Sequence, residues 1–485
     1  QITFSVTGTI TLTSDLTAIT DPVHINGPGA ASLTIDGADT YRVLQFDHVY
    51  STDGDNEVTG LTITHGDSNS NPDNSGGALQ IFGGSADMLI EDVVFTDNYS
   101  HNDGGAIHLY DNSGSVVINR AVLTNNTAYY GGGALYASES SYEALNVLVT
   151  NSTITGNEAG DDGGGLYFDI EYGSITILDS VISGNSADSG GGIQSEGAGA
   201  MTIGRTTISG NEASSGGGGG MMALLSTTVQ IYNSTISDNS ANGYGGGLYS
   251  DAYAFVIVQS TISGNTANQA GGIYTGDKGG LAMLLSTVTG NTATAPGSEQ
   301  PAPIHGIQLG ASTLVTGSAD GPRRAAKKSD ESGKDAHAPN ASHARTTDGG
   351  GFPPGAMMGI GVIVAGNGDG TTGYDIGSYS APPATGIQII GSVIGTVEPI
   401  NVIVQDAGGN QTGVTAAALK LGPLADNGGP TKTHALLDGS VAIDAGPATT
   451  DLPTFDGDGF DQRGTPYTRI VNGKVDVGAY EVQPP

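Results

Sequence analysis

An acidic loop near the C-terminus has the residue types and spacing of a cation site. Asp456, Asp458 and Asp461 are separated by glycine and phenylalanine, and Asp451 precedes them. Carboxylate oxygens are the ligands that Ca²⁺ prefers, and glycine allows the tight turn that gathers them around an ion. The glutamate that completes an EF-hand is missing at the required distance. The loop therefore predicts calcium binding in another geometry; the alternative is an acidic loop held by Arg463.

A second acidic pair, Asp161 and Asp162, has the composition that glycoside hydrolysis uses. That reaction needs two carboxyl groups, one of which keeps its proton because its pKa is raised. The pair stands before Gly163, where other repeats carry Ser189 or Tyr130, and this position favours ordinary turn residues. The nine histidines are scattered. We therefore predict no catalytic residues and no enzyme activity.

Composition restricts the function further. The chain has 485 residues with 80 Gly and no Cys, and 49 acidic against 15 basic residues give a formal charge of -34. Such a surface repels nucleic acids and anionic membranes. The lack of Cys excludes a disulfide framework and thiolate metal sites. No apolar run approaches about 18 residues, so no transmembrane segment is expected. The balance suits an extracellular, cation-rich setting.

A short phrase recurs along most of the chain. Ser234-Thr-Ile-Ser-Asp-Asn239 returns as Ser260-Thr-Ile-Ser-Gly-Asn265, and related phrases recur every 26 to 31 residues. A fixed period in this range indicates a repeat architecture. Asparagine tolerates the left-handed conformation at corners, and stacked copies can form an amide ladder. The asparagine that ends the phrase occurs first at Asn98 and Asn126. The predicted ladder comprises Asn157, Asn185, Asn211, Asn239, Asn265 and Asn291.

Apolar residues inside each repeat predict three short strands per coil. Val229 and Ile231 precede Ile236 at a spacing of two, which places side chains on one face of a strand, and Leu248 follows a glycine cluster. Parallel crossovers are nearly always right-handed. We therefore predict an all-β fold, a right-handed parallel β-helix (β-solenoid) with coils of about 26–31 residues around one continuous core.

Breaks in the pattern divide the chain into five segments. We predict N-terminal coils over 1–60, regular repeats over 61–293, a polar and partly basic insertion over 294–358, the last coils over 359–418 and a C-terminal cap over 419–485. A solenoid must cover its ends because an open coil exposes unpaired strand edges. The insertion is either a solvated loop or a basic processing site or docking patch; its basic residues are Arg323, Arg324, Lys327, Lys328, Lys334 and Arg345.

The residue after the inward residue of the third strand should point outward. Four coils carry tyrosine there, and tyrosines on neighbouring coils would stack into a ladder. Such a ladder could receive sugar rings or a neighbouring rod, or it could pack on itself and stabilise the strand face. These residues are Tyr136, Tyr167, Tyr249 and Tyr274.

Six asparagines begin the Asn-x-Ser/Thr sequence at which secreted proteins can be N-glycosylated. In a chain this rich in Asn and Thr, most such matches arise by chance. They are Asn98, Asn125, Asn151, Asn233, Asn340 and Asn410.

Two sets of segments carry a family resemblance. The Ile-Ser-Gly-Asn phrase followed by a glycine cluster resembles the repeats of polymorphic outer-membrane proteins. The tail resembles the choice-of-anchor Q group of secreted bacterial proteins. The resemblance implies export, a bacterial cell-surface or extracellular location and a right-handed β-helix, and it implies no established catalytic activity. The tail motifs are Leu421–Pro430, His434–Gly446, Asp461–Gly464 and Asp476–Glu481.

Three functional interpretations remain open. The first, which we favour, is an exported, non-enzymatic structural or adhesin-like protein with a cell-surface or matrix polysaccharide or protein as its partner. The second is the subunit of an extracellular filament, a homopolymer built by head-to-tail stacking. The third is a polysaccharide-binding or polysaccharide-cleaving β-helix, which needs a groove with acid and base groups.

Overall fold

A computed structural model describes most of the chain. The described residues are 1–50, 54–69, 74–139, 144–197, 199–225, 228–276, 279–295, 303–309, 357–368, 373–378, 385–397, 399, 402–452 and 459–484. Most of the predicted insertion, including its six basic residues, lies outside them.

The described chain winds into a right-handed parallel β-helix, which confirms the predicted fold class. Each regular coil passes through sheet 1, sheet 2 and sheet 4, and eight coils add a shorter strand to sheet 3 at the corner between sheets 2 and 4. This fourth strand was not predicted, because most of its copies are two residues long and carry no hydrophobic alternation. The strands of each sheet pair in parallel with their equivalents one coil away.

Sheets 1 and 2 are the two longest. The fourteen strands of sheet 1 are Ile2–Thr3, His24–Asn26, Asn56–Thr59, Met88–Glu91, Ser115–Asn119, Asn146–Thr150, Ser174–Leu178, Ala200–Gly204, Thr228–Tyr232, Ala254–Val258, Gly280–Leu284, Met357–Ile360, Thr385–Ile390 and Val402–Asp406. The thirteen strands of sheet 2 are Gly8–Thr11, Leu33–Asp36, Thr62–Thr64, Val94–Thr96, Val122–Thr124, Thr153–Thr155, Val181–Ser183, Thr207–Ser209, Thr235–Ser237, Thr261–Ser263, Thr287–Thr289, Ile363–Val364 and Val393–Ile394.

Sheets 3 and 4 complete the coil. The eight strands of sheet 3 are Tyr99–Ser100, Thr127–Ala128, Glu158–Ala159, Ser186–Ala187, Glu212–Ala213, Ser240–Tyr244, Thr266–Gln269 and Thr292–Ala293. The eleven strands of sheet 4 are Leu44–Asp47, Leu79–Phe82, Ile107–Tyr110, Leu135–Ser138, Leu166–Asp169, Ile193–Glu196, Met221–Ala223, Leu248–Ser250, Ile273–Thr275, Ile304–Leu309 and Tyr374–Ser378.

One apolar column fills the interior of the helix. Alternate residues of each strand point inward, so Val116, Ile118, Leu123 and Ile107 of one coil are all buried. The resulting cluster runs without interruption from Leu12 to Val402. Burying a side chain of this size is worth about 1.5–3 kcal/mol. The column therefore stabilises every coil through its neighbours.

A ladder of buried asparagines runs along the corner between sheets 2 and 3. The side-chain amide of Asn211 donates to Oδ1 of Asn239 at 2.9 Å and to the carbonyl of Ile182 at 3.0 Å. Each amide thus satisfies both the next asparagine and a backbone carbonyl. The ladder continues from Asn291 to Asn367, which are far apart in the sequence, because the Asn291 amide donates to Oδ1 of Asn367 at 2.9 Å. Its members are Asn98, Asn126, Asn157, Asn185, Asn211, Asn239, Asn265, Asn291 and Asn367.

The C-terminal tail packs along the side of the β-helix, on the outer face of sheet 2. It contains a helix (Ala416–Leu419), an antiparallel hairpin (Leu421–Ala425 with Thr433–Leu436) and a 3₁₀ turn (Thr449–Asp451). Its apolar residues, including Leu419, Leu436 and Val477, form a small core with the outward Ile363 and Val393. This position differs from the expected cap over the end, because apolar residues on the outer face of sheet 2 give the tail a surface to bury.

Candidate functional site

The outer surface of sheet 4 gathers aromatic and carboxylate side chains. Leu135 points into the core, so its successor Tyr136 faces outward and aligns with Tyr167 and Gln194 of the next two coils. The turn before each strand folds beside this row. Gly163 takes φ +64 there, and a Cβ would come within 2.6 Å of a backbone carbonyl oxygen, so glycine permits the close approach.

The tyrosines stack in two separate pairs. The rings of Tyr136 and Tyr167 lie 4.8 Å apart at 2°, and those of Tyr249 and Tyr274 lie 5.2 Å apart at 13°. Met222 and Gln194 stand between the pairs, so the row is not one continuous ladder. Each ring covers a face of its partner, and only 9% of Tyr167 is exposed. The stacked rings therefore offer edges and hydroxyl groups to a ligand more than open faces.

The row continues toward the N-terminus through polar side chains. The His108 ring lies 5.4 Å from that of Tyr136, and its Nδ1 is 3.5 Å from the Gln80 amide nitrogen. The buried Arg42 donates to Oε1 of Gln80 at 2.7 Å and to the carbonyl of Ser75 at 2.6 Å. A buried guanidinium thus ends the row, and the Gln80 and Ser75 oxygens are among its acceptors.

Next to Tyr167, the carboxyl groups of Asp162 and Glu196 lie beside the Gln194 side-chain amide. Nε2 of Gln194 donates to Oε1 of Glu196 at 3.1 Å. Asp162 interacts with both the Gln194 amide and the charge of Glu196. Burial, with a contribution from the charges of Glu196 and Asp161, raises the pKa of Asp162 to about 7. The Asp162 carboxyl group therefore titrates near neutral pH.

Two more carboxyl groups near this site, those of Asp103 and Asp169, have raised pKa values. Burial raises the pKa of Asp103 to about 6, although Asp103 accepts a hydrogen bond from the Gly131 amide at 2.9 Å. Burial and the Glu196 charge raise the pKa of Asp169 to about 6. Burial also raises the pKa of the Tyr136 and Tyr167 hydroxyls, so both remain protonated donors. We call these residues the acidic–aromatic face: Asp103, Tyr136, Asp162, Tyr167, Asp169, Gln194 and Glu196.

An unsatisfied oxygen lies within this face. Among the residues that the structure describes, Oε1 of Gln194 has no hydrogen-bond partner, although Gln194 is 2% exposed. A buried polar atom without a partner is costly. The carboxyl groups of Asp162, Asp169 and Glu196 around it provide acceptors for a ligand that carries hydroxyl or amino hydrogens.

Comparison with known proteins agrees with the coiled architecture. The family described as "Right handed beta helix region" matches residues 23–208 and 187–317, more than half of the chain. The chain belongs to the right-handed beta helix family. No curated protein and no solved structure matches the sequence.

In this β-helix protein, one predicted calcium ligand is already engaged. Asp461 is fully buried, and its Oδ2 accepts from Nη2 of Arg463 at 2.6 Å and from the backbone amide of Glu481 at 2.9 Å. The Arg463 guanidinium also lies 3.9 Å from two tyrosine ring centres. Asp451 lies in the 3₁₀ turn, and Asp456 and Asp458 lie outside the described residues. Within the described ranges, no cluster of three or more acidic or histidine side chains could hold a metal.

The sequons fall into different environments. Asn98 is 1% exposed and belongs to the amide ladder, so a folded coil cannot present it for glycosylation. Asn233 donates to backbone carbonyls of the tail, and Asn410 donates to the Ile389 carbonyl. Asn125 and Asn151 are exposed at coil corners. Asn340 lies outside the described residues. Asn125 and Asn151 are therefore the accessible sequons among those described.

The sequence alone singled out Asp161, Asp162 and the tyrosines of the acidic–aromatic face, and it missed Asp169 and Glu196 as their neighbours. The repeat spacing also places Gln194 at the outward position of Tyr136 and Tyr167, and the strand register agrees. No helix in the part of the chain that the structure describes is long and apolar enough to cross a membrane.

Proposed function

We propose that this β-helix is an exported structural or adhesin-like protein of a bacterial cell surface or extracellular matrix, and that it binds a polysaccharide on the acidic–aromatic face. The grouping of Asp162, Gln194 and Glu196 beside stacked tyrosines carries the proposal. The tail's resemblance to the choice-of-anchor Q group, and the repeats' resemblance to polymorphic outer-membrane proteins, support export. The proposed role is binding without cleavage.

Charge and hydrogen-bonding capacity narrow the class of polysaccharide. Carboxylates accept hydrogen bonds, and the tyrosine hydroxyls donate them. A formal charge of -34 opposes an acidic polymer. The proposed ligand is therefore a neutral or amine-bearing polysaccharide. Repetition of the coil spacing along sheet 4 would let one extended chain contact several coils.

Binding of the full chain to neutral and amino-sugar polysaccharides tests this proposal. Asp162→Asn and Glu196→Gln should each weaken binding several-fold because each replaces a carboxyl acceptor with an amide. Glu212→Gln is the matched control: it changes charge equally, but Glu212 is exposed on sheet 3. Equal binding by the wild type, both site variants and the control would overturn the proposal.

The end of the β-helix favours the filament as a second candidate. Val397, Pro399 and Val404 line an open cavity of about 480 Å³ at the last coils, where a second copy of the chain would dock. Head-to-tail docking is heterologous and would produce an open polymer. Light scattering at increasing concentration tests it, and a constant monomer mass would contradict it.

The raised pKa of Asp162 beside Glu196 favours polysaccharide cleavage as a third candidate. A carboxyl group with a raised pKa beside a second carboxyl group is the arrangement of acid and base in glycoside hydrolysis. Release of reducing ends from a bound polysaccharide, abolished by Asp162→Asn, would replace the non-enzymatic proposal. Binding without release would retain it.

A further inference from the structure

We propose that the uncovered outer face of sheet 2 binds ice. The threonine face, as we call it, consists of the outward residues of five consecutive strands, from Val94–Thr96 to Thr207–Ser209. It lies on a different sheet from the acidic–aromatic face, and it does not depend on the function proposed above.

The threonine face is uniform in chemistry and register. Each strand contributes two outward residues on either side of an inward one, and all ten are threonine, valine or serine in a chain of formal charge -34. Equivalent residues pair directly from coil to coil. Neighbouring coils lie about 4.8 Å apart, and alternate residues of a strand about 6.6 Å apart. The ten are Val94, Thr96, Val122, Thr124, Thr153, Thr155, Val181, Ser183, Thr207 and Ser209.

The residues of this face are accessible. All ten are half-buried or exposed, as expected for side chains on the outer surface of a sheet. At one rim, the last three of the five coils turn at Gly156, Gly184 and Gly210, which have positive φ and no side chain to project past the face, whereas the first two turn at the exposed Asp97 and Asn125. At the other rim, Arg205 is paired with Asp179 at 2.6 Å. A large flat solid could therefore approach from the glycine side.

Farther along the β-helix, the outer face of sheet 2 forms hydrogen bonds with the C-terminal tail. On the next coils the tail covers the equivalent positions: the Thr235 hydroxyl donates to the Lys432 carbonyl at 2.5 Å, and Thr287 accepts from the Ala479 amide at 3.1 Å. The uncovered part continues this interface in register, since Thr207 pairs with Thr235. Two hydroxyls at these positions thus form hydrogen bonds with the segment that covers them.

The chemistry of the uncovered part favours ordered water as its occupant. Protein interfaces depend on Trp, Tyr and Arg anchors, and sugar binding uses aromatic rings, but none of the ten residues is aromatic or charged. Hydroxyls both donate and accept, and the methyl groups of Thr and Val order adjacent water. The spacing between coils is close to one oxygen repeat of hexagonal ice, and the spacing along a strand is somewhat shorter than a second repeat. A rigid array of this kind holds its groups in place before binding.

Ice-affinity partitioning of the full chain, with microscopy of ice crystals, tests the proposal. The wild type should become enriched in slowly grown ice and should shape the crystals. Thr153→Lys places a charge in the centre of the face and should remove most of the enrichment. Thr176→Lys is the matched control on an outward position of sheet 1 in the next coil, and it should retain the enrichment. Thermal melting of each variant checks the fold.

Each result of these experiments either supports ice binding by the threonine face or overturns it. No enrichment of the wild type would overturn the proposal, and so would equal enrichment of Thr153→Lys or equal loss in folded Thr176→Lys. Adsorption to microcrystalline cellulose or chitin that Thr153→Lys abolishes, without enrichment in ice, would assign the face to a glycan instead. Loss of polysaccharide binding by Asp162→Asn with ice enrichment unchanged would separate this face from the acidic–aromatic one.

Discussion

The Thr261 hydroxyl donates a hydrogen bond to Oε1 of Gln462 at 2.6 Å, although the two residues are 201 positions apart. Nε2 of Gln462 lies within 3.1 Å of oxygens of Ser234, Thr235 and Thr431. One fully buried amide thus fastens the tail to two coils of sheet 2. The Asp-Gln-Arg-Gly motif, noted in the sequence as a family feature, therefore has a structural role.

Gln462→Ala should loosen the tail. It leaves several buried hydrogen-bonding groups without partners, which costs about 1–3 kcal/mol. Limited proteolysis should cleave the variant earlier within the tail, and its melting temperature should fall. Gln483→Ala is the control, because the Gln483 side chain bonds the Thr468 carbonyl at an exposed site of the same tail. Equal protease resistance of Gln462→Ala and the wild type would refute the role.

The asparagine ladder should resist substitution. Asn239→Ala removes one amide that bonds Asn265 and the Ile208 carbonyl, and it leaves the Asn211 amide without its acceptor. We expect a loss of about 3 kcal/mol in unfolding free energy. Asn242→Ala, at an exposed position three residues later, should change it little. Similar losses in both variants would show that the ladder adds no specific stability.

Adjacent residues of one strand should respond oppositely to a charge. Ile208→Asp buries a carboxylate in the apolar column and should cost several kcal/mol, because burial of an unpaired charge is unfavourable. Thr207→Asp places the same group on the outer face and should be tolerated. Denaturant unfolding of the two variants makes the comparison, and comparable stability would contradict the inward assignment of Ile208.

The tail should lose stability as pH rises from about 4.5 to about 8. Burial raises the pKa of Glu481 from 4.5 to about 8, so between these values the folded tail keeps a proton that the unfolded chain releases. Arg463 and Arg469 face three buried carboxylates here, those of Asp461, Asp476 and Glu481.

Glu481→Gln resembles the protonated form and should flatten this pH dependence. Melting temperatures of the wild type and the variant at pH 5, 6, 7 and 8 make the measurement. A wild-type slope that the variant fully retains would place the titration elsewhere.

Calcium should stabilise the chain through the acidic loop. Chelation should lower the melting temperature, and Asp458→Ala should remove part of that shift because it deletes an oxygen ligand. Asp438→Ala, at an exposed tail position, is the control. A melting temperature that is insensitive to chelation would rule out a structural calcium role.

The sequence by itself determined the coil. The spacing of Val229, Ile231 and Ile236 predicted the strand faces, and the recurring asparagines marked a corner, because a periodic backbone repeats each local environment. The tertiary structure decided where distant parts meet. Gln194 and Glu196 are alternate residues of one strand, but Asp162 joins them only through the coil register, and the tail's place on sheet 2 depends on burial of Ile363 and Val393. Local periodicity carries no information on contacts between separate segments, so these required the folded chain.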